Sequence, residues 1–120
     1  MKYLCLGYHE EKALQSMTDA DRNVLLQETF AYDQQLRKNG HCLDGKALQG
    51  RQSATTLRFD NDGRISITDG PFAETKEQLG GVMLLEARDL NEAIHLMSQL
   101  PCMRVGGSLE IRPLNEELAT

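Results

Sequence analysis

From Asp69 to Glu77 the chain reads Asp-Gly-Pro-Phe-Ala-Glu-Thr-Lys-Glu, its densest gathering of residue types that can do chemistry. Gly70 and Pro71 impose an unusual backbone turn at the end of a strand, and Pro71 suits the first position of a short helical turn. Asp69 would then stand at or just before that turn's N-terminus, where backbone N–H groups stabilise a carboxylate. Glu74 and Lys76 could point into a cavity beside it. A carboxylate near an ammonium at such a place supports proton transfer, with Asp69 as base and Lys76 as electrostatic stabiliser. Glu74 or Glu77 would be the orienting group for that proton transfer, and the same pairing equally makes a small anion site. A capped turn with solvated charges has the same spacing, so spacing alone leaves all three open.

Other polar candidates are more scattered. His41-Cys42-Leu43-Asp44 contains metal-ligand types, but adjacent strand residues face opposite ways, so one ion could not take both His41 and Cys42 without a bend. No metal and no cofactor is expected. His9-Glu10-Glu11 follows the first strand at the possible rim of a cavity, or in a solvated loop. Glu110 and Arg112 share one face of a strand, which suits an ion pair or a cross-strand partner. Arg58 and Arg64 could add positive charge for an anionic ligand, or serve as edge-strand charges. Cys102 precedes Arg104 by two residues, but a reactive thiol needs a nearby cation or helix start to lower its pKa.

The elements that must position these residues are readable from periodicity. Lys2–Tyr8 is apolar on both faces, as in a central strand. Thr18 with Asp21 is a capping-box-like start for a helix reaching Lys38. Leu25, Thr29, Tyr32 and Leu36 form its sheet-facing stripe, while Leu26 and Phe30 lie to one side. Gly40 after Arg37 and Lys38 is a left-handed helix cap. Residues 41–49 suggest a strand bent at Gly45. Thr55–Asp60 and Arg64–Thr68 alternate as two strands joined by the Asn61-Asp62-Gly63 turn. Gly81–Ala87 reads as a second central strand. Asp89 with Glu92 starts a helix whose apolar face is Ala93, Leu96, Met97 and Leu100, stopped by Pro101. Val105–Arg112 is the last strand.

The order is strand, helix, strand, hairpin, strand, helix, strand. Two helices on one face of a largely antiparallel sheet make an α+β ferredoxin-like sandwich with an inserted β-hairpin. Residues 1–120 form a single domain, as their number suggests. Two helices cannot cover both faces of that sheet, so a second copy packed sheet to sheet is expected over the other.

Composition narrows the function classes. Thirteen Lys and Arg against eighteen Asp and Glu give a formal charge of −5, and no cationic run is present, so direct nucleic-acid binding is not expected. No stretch approaches the roughly 20 apolar residues needed to cross a bilayer, and Met1–Tyr8 lacks the form of a secretory signal. Cys5, Cys42 and Cys102 are odd in number and widely spaced, which suits reduced thiols in the cytoplasm.

The thirteen residues from Asp69 to Gly81, DGPFAETKEQLGG, resemble the signature of the DGPF proteins in the YCII-related family. Gly106–Pro113 is similar to that family's closing segment, and Met1-Lys2-Tyr3 and Thr55–Arg58 also match. The resemblance implies a dimeric α/β barrel assembly with a cavity near the signature loop, in small bacterial proteins often encoded beside extracytoplasmic-function sigma factors. It also implies, for part of the family, lyase-type chemistry resting on a His in the first helix and an Asp before a Pro. This chain departs from that pattern: His9, His41 and His95 all lie outside the first helix, and Leu100 precedes Pro101. The dyad is not carried over. The expected function is therefore small-molecule binding in a cavity beside Asp69-Gly70-Pro71-Phe72, with Phe72, Glu74, Glu77, Glu110 and Arg112 as ligand-binding candidates. The alternatives are an acid–base enzyme using Asp69 and Lys76, and a structural or regulatory partner of a sigma-factor system.

Overall fold

A computed structural model of the chain describes residues 1–118. The apolar run after Met1 forms strand β1, Lys2–Glu10, and a short helix α1, Glu11–Gln15, follows it directly. Thr18 then opens α2, Asp19–Lys38, its side-chain oxygen accepting the Asp21 N–H at 3.1 Å. Gly40 closes that helix at φ 80°, a left-handed conformation that frees the His41 N–H to reach the Leu36 carbonyl at 2.8 Å. Strands β2, Cys42–Ala47, β3, Thr55–Phe59, β4, Ile65–Asp69, and β5, Glu77–Glu86, come next. Helix α3, Leu90–Met97, and strand β6, Ser108–Pro113, complete the order. Asp89 caps α3 by accepting the Glu92 N–H, while the Glu92 carboxylate accepts the Arg88 N–H, each at 2.8 Å.

The main sheet has the order β2-β5-β1-β6 with every neighbouring pair antiparallel. With α2 and α3 this makes the mixed α+β, βαββαβ ordering of a ferredoxin-like sandwich. Alternation along the strands separates its two faces. Tyr3 and Cys5 of β1, Leu85 of β5 and Cys42 of β2 are buried with Leu36, Ala93 and Met97 from the helices. The Tyr32 hydroxyl joins the helices by donating to the Leu96 carbonyl at 2.6 Å. The opposite face carries Leu4 and Leu6 against Leu84 and Val82, all half-buried, with Glu110 and Arg112 beside them on β6. No helix of the described residues is long and apolar enough to cross a membrane.

The elements differ from the sequence expectation at several points, and strand β1 itself runs on through His9 and Glu10, which were expected to follow it. Helix α1 was not expected, because five polar-rich residues carry no full apolar stripe. Strand β5 begins at Glu77, four residues before the expected Gly81, because polar Glu77 and Gln78 extend the ladder opposite Glu10 and His9. The irregularity of β2 falls between Cys42 and Asp44 instead of at Gly45. The final strand starts at Ser108 because Pro101–Val105 winds into a 3₁₀ turn that Gly106 ends at φ 79°. The hairpin is present, but β3 and β4 pair only with each other as a separate two-stranded sheet.

Candidate functional site

The β1–β5 pairing changes register close to where β1 ends. Gly7 opposes Gly81, but Tyr8 opposes Leu79, which leaves Gly80 as the extra residue of a bulge. A Cβ on Gly80 would land on the His9 ring, so glycine is what lets that imidazole lie across the bulge. Beyond it, His9 pairs with Gln78 and Glu10 with Glu77, carrying both strands out to a polar rim.

Gln78 is the buried polar residue of this rim, 7% exposed. Its side-chain amide donates to the Thr75 carbonyl at 2.6 Å and to Thr75 Oγ1 at 3.3 Å. The Thr75 hydroxyl donates in turn to the Glu77 carbonyl. Ser108 of β6 fixes Glu77 by a 2.7 Å hydrogen bond to its carboxylate. These contacts hold Thr75–Glu77 against the ends of β1 and β5.

Two open hollows meet at that strip. One, of about 510 Å³, is lined by Tyr8, Glu10, Thr75, Lys76 and Glu77. The other, of about 720 Å³, shares Glu10, Thr75 and Lys76 and adds Glu74, Gln78, Lys12 and Arg51 among its walls. Both are open to solvent, so these volumes measure the space along the rim and not an enclosed chamber. Arg51 is held toward Glu11 at 3.5 Å. Among the described residues, Lys76, Glu10 and Glu74 have no ion-pair partner within 4.0 Å. An exposed ammonium between free carboxylates can grip an acidic group while the carboxylates accept from hydroxyls, or it can steady charge during a proton transfer.

The sequence-predicted residues divide into two groups. Glu74, Lys76 and Glu77 line the hollows. Asp69, Phe72, Glu110 and Arg112 stand outside both sets of lining residues. Asp69 ends β4 opposite Thr55, and no helical turn begins at Pro71, so the expected row of helix N–H groups is not there. Gly70, at φ 107°, turns the chain back along β3 instead. The Gly70 N–H donates to the Ala54 carbonyl at 2.7 Å, and Thr56 Oγ1 donates to the Gly70 carbonyl at 2.8 Å. Arg58 donates to the Phe72 carbonyl at 3.3 Å and sets its guanidinium 5.2 Å from the Phe72 ring centre. The Asp-Gly-Pro-Phe segment is thereby tied to the hairpin, and the residues after it form the rim. Glu110 and Arg112 make a long ion pair of 3.7 Å on the uncovered sheet face.

Tyr8, Gln78, Lys12 and Arg51 were not singled out from sequence. Gln78 carried a signal, a polar residue just ahead of an apolar strand, whereas Lys12 and Arg51 join the site only through the fold.

The histidines and cysteines sit elsewhere. His41 Nδ1 meets the Glu86 carbonyl at 2.9 Å, and Cys42 Sγ faces Asp33 Oδ1 at 3.6 Å, so the two side chains are committed to different neighbours. Burial, aided by the nearby Cys42, pushes the Cys5 thiol up to about 11. Burial, then the Asp33 carboxylate, raises Cys42, and partial shelter raises Cys102. Thiols held protonated in this way are poor nucleophiles.

Comparison with known proteins agrees with this architecture. The YCII-related domain matches residues 1–117. An uncharacterised protein of Rhizobium meliloti (strain 1021) is 31% identical over 115 residues, 95% of this chain and 92% of that one. Among solved structures, the fold is similar to 5-chloro-2-hydroxyhydroquinone dehydrochlorinase of Burkholderia phenoliruptrix AC1100, determined with 2,5-dihydroxybenzoquinone bound. The TM-score is 0.56 at 16% identity, over 98% of each chain. The match of the family model along residues 1–117, with a relative 31% identical over nearly the whole length, places the chain in the YCII-related family.

Proposed function

We propose that this protein binds a small organic acid at the Glu10–Thr75–Lys76 rim, working as a homodimer whose uncovered sheet faces pack together. The observation that carries the reading is Lys76, an ammonium without an ion-pair partner among the described residues, on a strip that buried Gln78 holds between two hollows. Lys76 takes the acidic group, Tyr8 offers its ring, and Glu10, Glu74 and Glu77 accept from ligand hydroxyls. The half-buried Leu4, Leu6, Val82 and Leu84 support the dimer, because an apolar sheet face of this kind favours a cover. The structural neighbour's ligand, 2,5-dihydroxybenzoquinone, is a small acidic ring of the proposed class.

A thermal-shift panel of small aromatic and aliphatic acids, that quinone included, tests the reading on the wild type and Lys76→Met. A ligand at 100 times its Kd stabilises by about 2.7 kcal/mol, so true ligands raise the wild-type Tm by several degrees. Lys76→Met should lose most of that rise. A panel without any such rise, or rises undiminished in Lys76→Met, contradicts the proposal.

A second reading, acid–base catalysis, draws on the same gathering of Lys76 with carboxylates. There Lys76 steadies developing charge and Glu10 or Glu77 moves the proton. Asp69, exposed on β4, takes part only if the hollow is closed by a second copy. A turnover found for any panel ligand that survives Asp69→Asn but falls 10²-fold or more in Glu10→Gln or Glu77→Gln assigns the base to the rim.

A further inference from the structure

The β3–β4 hairpin has one face in use and one bare. On the used face, Thr56 and Arg58 fasten Gly70 and Phe72. On the other, Leu57 pairs with Ile67 and Phe59 with Ile65, and these four side chains are 53–71% exposed. Among the described residues no third strand pairs with them, and an isolated two-stranded sheet is marginal in water. A contiguous patch of four large apolar side chains is also more than a soluble monomer usually leaves open. The shape of the chain points the same way. Its Cα radius of gyration is 16.4 Å, against about 13.6 Å for a compact domain of this length. Its extents of 48 × 43 × 19 Å describe a thin body with material held away from the core.

We infer that the hairpin is an arm that lies on a second copy of this chain, with Leu57, Phe59, Ile65 and Ile67 as its contact face. The inference rests on the homodimer reading above and adds the element that completes the interface. Four strands about 4.8 Å apart and about six residues long present roughly 400 Å² per face. Two such faces packed together bury about 800 Å², half of the roughly 1,600 Å² of a standard stable interface. One face of a five-residue, two-stranded arm is about 160 Å², and it covers a similar area of its partner. A two-fold axis applies this twice, adding about 640 Å² and bringing the pair to about 1,440 Å². The sheet faces alone fall short of a standard interface, whereas sheet faces and arms together approach it. A second copy accounts for the bare sheet face and the bare hairpin face at once, which a single unrelated partner does only by covering each separately.

Intermolecular paramagnetic relaxation on the full-length chain tests the arm. Ser66 lies on the polar face of β4, so a nitroxide on Ser66→Cys reports the arm's position without entering the contact; Cys102→Ser removes the exposed native thiol. Spin-labelled unenriched chain is mixed with equal unlabelled ¹⁵N chain, so any broadening comes from the other copy. Sedimentation of the same mixture gives the oligomeric state. A dimer whose amide signals are broadened in a single contiguous patch supports the arm, and Leu57→Lys with Ile67→Lys should weaken that dimer at least 100-fold in Kd. A dimer with no intermolecular broadening overturns the arm while leaving the sheet-to-sheet reading intact. A monomer at 200 µM overturns both.

Discussion

The side chain on which the rim most depends is Gln78, a neutral amide with no chemistry of its own. It is buried beside an exposed strip, and its two hydrogen bonds to Thr75 set where Lys76 begins. Removing a buried hydrogen-bonding group leaves its partners unsatisfied at a cost of about 1–3 kcal/mol. Gln78→Ala should therefore lower stability by that much in urea denaturation, and should also weaken any ligand that depends on Lys76. A variant with lost stability but unchanged ligand affinity would show that Gln78 braces the strand without shaping the site. Cys5 makes a different prediction. Its thiol titrates near 11 in the fold and near 9 when unfolded, so the native state holds its proton across that interval. Stability contributed by the protonated thiol is complete below pH 9 and is lost as pH rises toward 11. The slope of unfolding free energy against pH between 9 and 11 should be less negative in Cys5→Ala than in the wild type. Equal slopes would remove Cys5 from the alkaline instability.

Among the elements, the β1–β5 bulge is the feature that turns a regular sheet into a site. Without the extra residue at Gly80, the strand ends would keep the alternation of the core and place other side chains at the rim. Gly80→Ala should destabilise the protein by about 1–3 kcal/mol, because the added methyl meets the His9 ring. In Gly80→Ala with His9→Ala, that penalty should largely disappear, and a double-mutant cycle measures the difference. An additive cycle would mean that the backbone at Gly80, and not the imidazole, sets the requirement. What could be read from the chain is what local spacing sets, and what could not is what depends on the fold. Helices α2 and α3 were readable because Thr18 and Asp89 cap them and their apolar faces repeat at helical spacing. The hairpin was readable from Asn-Asp-Gly between alternating strands. Three of the predicted site residues, Glu74, Lys76 and Glu77, do line the hollows. Asp69 and Phe72 do not, because sequence cannot tell whether a Gly-Pro turn opens a helix or turns back along the neighbouring strand, as it does here along β3. Arg51 reaches the rim from more than twenty residues away, a placement that only the folded chain reveals.

For the molecule as a whole, the balance of covered and bare surface is the governing fact. One side of the sheet is closed by α2 and α3, while the other side and the hairpin face carry apolar residues outward. A protein stabilised by pairing has a Tm that rises with its own concentration. Calorimetry from about 5 to 500 µM should show that rise in the wild type and little of it in Leu57→Lys with Ile67→Lys. A concentration-independent Tm for the wild type would place the stability within one protomer. The net charge of −5 gives an anionic ligand no long-range steering, so its selection falls to the cations at the rim, Lys76 with Lys12 and Arg51.

The location of the ligand is tested most directly by mapping amide chemical shifts while the tightest ligand of the acid panel is titrated into the ¹⁵N-labelled protein. The account predicts saturable shifts concentrated at Tyr8, Glu10 and Thr75–Gln78, and their loss in Lys76→Met. Saturable shifts centred on the exposed Leu26–Phe30 side of α2 or on the hairpin, with the Thr75–Gln78 amides unmoved, would contradict it.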